Sequence, residues 1–149
     1  MTNRRHETDL AQLVESAKGL AHPARLRLIG MLAEGELCVC QMTAVLELAP
    51  STVSQHLSVL AHGGLVAERK EGKLVYYRLR EDGIAAALLP SILGLLASDP
   101  TAKLDRTVVA RLRRVAIAKL CAAELDLVAL GVRRPAPLAT PPARSRTGL

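Results

Sequence analysis

A mostly α-helical fold with one small β-hairpin is predicted by three observations. Apolar residues recur at helical spacing through most of the chain, for example Val53, Leu57 and Leu60 at i, i+4 and i+7. Half of the 149 residues are apolar, yet only Tyr76 and Tyr77 are aromatic, so the core must be Leu, Val, Ala and Ile, which suits packed helices. One pair of strand-like runs, Leu65–Lys70 and Leu74–Leu79, is joined by Glu71-Gly72-Lys73, a glycine-containing connection suited to a hairpin. The length is that of one domain.

In chain order, residues 1–6 read as a disordered leader, and Thr8-Asp9 caps a first helix running to about Lys18 with Leu10, Leu13, Val14 and Ala17 on one face. A second helix starts at His22-Pro23, where proline suits the first turn, and stops at Gly35. Leu26, Ile29 and Leu32 or Ala33 form its buried stripe, leaving Arg25 and Arg27 in water. A third helix starts near Leu37–Cys40 and carries Met42, Val45, Leu46 and Leu48 up to Ala49. Pro50 followed by Ser51 and Thr52 signals a fourth start, with a hydroxyl capping free N–H groups, and Gly63-Gly64 ends that helix. The turn between the third and fourth helices is only a few residues long, so the two form a helix-turn-helix.

Beyond the hairpin, the run from Ile84 to Ala97 reads as a helix that Pro90 kinks or splits. Its apolar residues run nearly all the way round, which asks for cover on both sides and makes an isologous dimer seam, shared with the first helix, the natural solution. After the break at Ser98-Asp99-Pro100, residues 101–131 read as one amphipathic helix carrying Leu104, Val108, Leu112, Val115, Leu120, Leu125 and Val128 on its apolar side. Residues 132–149 are rich in proline and arginine and read as a disordered tail.

The net charge is +6, from 20 Lys and Arg against 14 acids, a balance compatible with nucleic acid. The fourth helix has an acid-free polar face of Ser51, Thr52, Ser54, Gln55, His56 and Ser58, and the hairpin is basic at Arg69, Lys70, Lys73 and Arg78. Short hydrogen-bonding side chains suit base edges, and the cations suit phosphates. No apolar run approaches the length of a membrane span, and the arginines of the first residues precede no hydrophobic block, so no membrane partner and a cytoplasmic location are expected. No Ser-His-Asp spacing, paired carboxylates or phosphate-cradling glycine loop announces an enzyme. An odd count of three cysteines argues against a disulfide framework and for thiols that are free, reactive or ion-bound.

Four segments together, LAHPARLRLIGML, ELCVC, STVSQHLSVL and RKEGKLVYYRL, resemble in order the second helix, metal-box helix, recognition helix and wing of the arsenic-repressor (ArsR/SmtB) family of winged-helix metalloregulators. The resemblance covers roughly Leu20 to Leu79. It implies a winged helix-turn-helix over residues 7–98, a homodimer bound to palindromic double-stranded operator DNA, repression, and release of DNA when a thiophilic ion binds. Cys38 and Cys40 fall on the family's metal-box cysteines. The position three residues after the second, a further cysteine in many arsenic-sensing members, is Thr43 here, so the third thiol is Cys121 or the site has only two.

On a regular helix Cys38 and Cys40 would point about 200° apart, so joint ligation requires distortion of the first turn, where N–H groups are uncommitted. The helix dipole there is expected to lower thiol pKa and favour the thiolate. As(III) or Sb(III) suits such a site, because a pyramidal thiolate complex needs few ligands. Softness also admits Cd(II), Pb(II), Zn(II) and Cu(I), and oxidants or sulfane sulfur could act on the same thiols. His62, near the glycine stop, suits the helix C-terminus, whereas His6 and His22 form no metal spacing.

Overall fold

The computed structural model describes residues 9–135. Helix α1 (Leu10–Leu20) starts at Asp9, whose carboxylate accepts the Gln12 N–H at 2.7 Å. Its apolar side is the one turned outward: Leu10 is 79% exposed, with Leu13 and Val14 also in solvent, while Ser16 and Gly19 are buried. Small residues are inside because α1 lies close against α4 (Pro50–His62). Ser16 Oγ donates to the Gly63 carbonyl at 2.6 Å, and a Cβ on Gly63 would meet Glu15 O and Ser16 Cα at 3.1 Å. Gly63→Ala is therefore expected to force the two helices apart and cost about 1–3 kcal/mol, read as a lower urea midpoint.

Helix α2 (Pro23–Leu32) is capped by His22 and buries Leu28, Ile29, Met31 and Leu32. Leu26 is only half-buried and Ala33 is exposed, so the stripe is rotated from the one read off the spacing. Arg27 is not a solvated cation. It forms a two-pronged ion pair, 2.8 Å on each side, with Asp105, which is only 3% exposed.

The expected start of the third helix is instead a short strand, β1 (Leu37–Cys38), and α3 (Val39–Leu46) begins after it. Helix α3 stops at Leu46 because Glu47 turns left-handed (φ 55°), leaving Leu48 exposed. Ala49 is the N-cap of α4 with no side-chain cap, so Ser51 and Thr52 lie inside the first turn. Val53, Leu57 and Leu60 are fully buried, as their spacing requires. Gly64 takes φ 72°, the conformation that ends the helix run.

Strands β2 (Val66–Glu71) and β3 (Leu74–Leu79) form the hairpin, and β1 adds to the far edge of β3 through Leu37↔Tyr77 and Cys38↔Tyr76. The sheet thus has three strands in the order β1-β3-β2, not two. Helix α5 (Gly83–Leu96) continues unbroken through Pro90. Pro90 and Ala86 are both exposed, so the carbonyl that proline leaves without a partner can be reached by water.

The single helix expected over 101–131 is two pieces, α6 (Pro100–Leu112) and α7 (Ile117–Ala122), followed by turns. Unbroken, it would run about 46 Å, too far to return to a domain of this size. Folding back lets Leu120, Leu127 and Val132 join the core. Val132 and Arg133, expected in the tail, belong to the folded part: Val132 is 4% exposed, and Arg133 holds the end of α3 by donating to Val45 O at 2.9 Å and pairing with Glu47. Residues 1–6, Thr8 and the tail from 136 lie outside the described residues. No described helix is by itself long and apolar enough to cross a membrane.

Candidate DNA interface and thiol site

Helix α4 presents Ser51, Ser54, Gln55 and Ser58 to solvent, with Thr52 and His56 half-buried. These residues lie on the side opposite Val53, Leu57 and Leu60, so burial of one face dictates exposure of the other. His56 leans on α2: its Nδ1 lies 3.2 Å from Arg25 Nη1 and its ring is 4.5 Å from that of His22. Burial, then the charges of His22 and Arg25, hold its pKa below the ordinary imidazole value.

The hairpin separates its four cations. Side chains alternate across a strand, so Glu68, Lys70, Val75 and Tyr77 share one face while Ala67, Arg69, Tyr76 and Arg78 share the other. The first face closes a cleft of about 480 Å³ with Ser54 and Ser58 of α4, and Lys70, Lys73, Cys38 and Cys40 also line it. Lys70 pairs loosely with Glu68 at 3.7 Å, and Lys73 stands exposed at the hairpin tip.

Arg69 is on the far face. Its guanidinium donates to Glu36 at 2.6 Å and to Glu71 at 2.9 Å and lies 4.5 Å from the Tyr76 ring centroid. The partnership holds the Glu36 carboxyl below the usual carboxylate range. Arg78 borders a second cleft, of about 640 Å³, between the end of α2 and α5. The basic hairpin read from the sequence is therefore two surfaces: Lys70 and Lys73 beside α4, Arg69 and Arg78 turned from it.

Cys38 and Cys40 are brought together without unwinding anything. Cys38 is extended (φ −72°, ψ 147°) in β1, outside the helix, so the 200° separation does not apply, and its sulfur lies 2.9 Å from that of Cys40. The Cys38 N–H donates to the buried Gln41 Oε1 at 2.8 Å, which fixes the turn. The expected lowering of thiol pKa is reversed at Cys40, which is pushed up to about 12 by burial, then by the hydrogen bond and charge of Cys38. Desolvation outweighs the Gln41 backbone hydrogen bond, which pulls the other way.

Cys121 is exposed on α7, close enough for its charge to act on Cys40. Among the described residues, no three His, Cys, Asp or Glu side chains converge as an ion-holding set. The pair alone is preassembled, and Cys121 does not line the cleft that holds it. Its two sulfurs, with no carboxylate or imidazole joining them, fit a soft ion satisfied by few thiolates better than tetrahedral zinc. Several partners of this region escaped sequence reading: Glu36 for Arg69, and Arg113, which donates to the carbonyls of Gly35 and Glu36 just before β1. Each joins residues more than thirty positions apart, and no local pattern announces such a contact.

A sequence profile described as "Bacterial regulatory protein, arsR family" matches residues 22–68. The chain is 43% identical over 81 residues to a biofilm growth-associated repressor of Agrobacterium fabrum, covering 54% of this chain and 68% of that protein. It is 44% identical over 66 residues to the arsenic resistance transcriptional regulator ArsR1 of Pseudomonas putida, covering 44% and 52%. The chain thus spans little more than half the length of the latter. Its fold is similar to the homodimeric winged helix-turn-helix DNA-binding domain Mb0332 of Mycobacterium bovis, at 30% identity and a TM-score of 0.53, covering 65% of this chain and 88% of that one.

Proposed function

Because the chain belongs to the ArsR family, whose members are DNA-binding transcriptional regulators and not enzymes, we propose that this repressor releases its operator when As(III) or Sb(III) binds the Cys38–Cys40 thiol pair. The observation that carries this reading is the 2.9 Å separation of two sulfurs in the cleft that α4 and the hairpin also line. An ion held there sits against both DNA-reading elements. Cys121 supplies a third thiolate if α7 shifts toward the pair. Ion binding and DNA binding then favour different placements of β1 and α3, which is the requirement for coupling two sites.

The active species is a cytoplasmic homodimer on a palindromic duplex. The outward apolar side of α1 supports this, as does Leu95 of α5, 75% exposed. A second reading rests on the same sulfur contact: loss of two electrons and two protons to an oxidant would join Cys38 and Cys40 as a disulfide and displace β1 without any ion.

Fluorescence anisotropy of the reduced protein on an operator duplex, titrated with As(III), Sb(III), Cd(II), Pb(II) and Zn(II), separates these readings. Release by As(III) or Sb(III) under reducing conditions supports the first. Release only by peroxide or a persulfide donor, reversed by dithiothreitol, rejects it in favour of the second.

The hairpin's place in the interface has its own check. Lys73→Glu should weaken binding to all duplexes alike and flatten the dependence of log K on log salt by about 0.9 for the lost phosphate contact. An unchanged slope would remove the hairpin tip from the interface.

A further inference from the structure

We infer that Arg25 is a positioning residue for DNA readout: it fixes His56 of α4 in the Nε2–H tautomer, so that His56 meets DNA as a hydrogen-bond donor only. This rests on the reading that α4 enters the major groove.

A guanidinium has five N–H donors and no acceptor. Arg25 spends three of them locally: Nε donates to Gly19 O at 3.0 Å, Nη2 to Lys18 O at 2.8 Å, and Nη1 faces His56 Nδ1 at 3.2 Å. The first two anchor the guanidinium on the carbonyl end of α1, so its orientation does not depend on His56. Nδ1 must then be the acceptor, which requires a neutral ring with its proton on Nε2.

His22 is held in the same form. As the N-cap of α2 it accepts the Ala24 N–H at 3.0 Å through its own Nδ1, and its ring lies against that of His56 at a 43° tilt. Two neutral rings beside a guanidinium avoid the like-charge contact that a protonated ring would create. Burial of His56 favours the same state.

A histidine with Nδ1 occupied has one group left. Nε2–H can donate to guanine O6 or N7, adenine N7, thymine O4 or a phosphate oxygen, and cannot accept from the cytosine amino group. Ser54, Gln55 and Ser58, exposed on the same helix, can donate or accept. His56 therefore contributes a directional preference that its neighbours do not.

The test has two arms. In the first, the full chain labelled with 15N-histidine is examined without DNA at pH 7.5 by long-range 1H–15N correlation. His56 and His22 are expected as Nε2–H tautomers, and in Arg25→Ala, checked for an intact amide spectrum elsewhere, the His56 signature should move toward a mixture. A wild-type His56 that is Nδ1–H or imidazolium overturns the inference, whatever the variant does.

In the second, operator duplexes substituted at each position are compared for wild type, His56→Ala and Arg25→Ala. Both variants should lose about fivefold preference, the worth of one hydrogen bond, at the same base pair. Loss at no base pair in His56→Ala, or at different ones in the two variants, overturns the readout. If no duplex is bound preferentially by wild type, the readout falls with the operator reading, while the tautomer result stands on its own.

Discussion

Replacing Arg27 with alanine will destabilise the protein by about 3 kcal/mol, more than replacing its partner Asp105. The two-pronged pair joins α2 to α6, but its members are unequally placed: the Asp105 side chain is 4% exposed and that of Arg27 32%. Removing the arginine strands a carboxylate that water cannot reach. Removing the carboxylate leaves a guanidinium that can turn to solvent, at a cost of about 1–2 kcal/mol. Urea midpoints with unchanged slopes would report both.

Equal deficits in Arg27→Ala and Asp105→Ala would show that water reaches Asp105 as readily as Arg27.

Cys38→Ser and Cys40→Ser should each leave operator affinity nearly unchanged and abolish its response to As(III). Coupling of the kind proposed is worth about 5- to 150-fold in affinity, and that whole factor should disappear. The expectation that the fold survives is physical: serine is a preferred N-cap, and Cys38 is the N-cap of α3. At half-buried Cys40 the exchange removes a sulfur and keeps the size close. Cys121→Ser then distinguishes the sites, with a lost response indicating three thiolates and a retained one indicating two. A full As(III) response in Cys38→Ser would reject the thiol-pair site, and no separate loss of folding could be blamed for it.

The helix-turn-helix and its hairpin were legible because their signals are local. Val53, Leu57 and Leu60 at helical spacing require a buried stripe, and all three are at 0% exposure. The span Leu74–Leu79 follows from strand-like residues after a glycine turn. That Cys38 and Cys40 lie in one short stretch was equally visible, although their mutual orientation was not.

What failed to show was whatever depended on distant partners. Spacing placed Cys38 on a helix, but the pairing of Leu37 with Tyr77 and of Cys38 with Tyr76 of β3 draws it into a strand, and this turns divergent thiols into a 2.9 Å contact. Helical spacing put Arg27 on the wet side of α2, and nearness in sequence made the four hairpin cations one surface. An aspartate 78 positions away and a glutamate 33 positions away reassign Arg27 and Arg69 to ion pairs. Periodicity could say that residues 101–131 have an apolar side, but not that the chain must turn back to bury it. Local propensity and burial pattern are carried by neighbours in sequence, whereas register, charge pairing and desolvation arise only when distant segments meet.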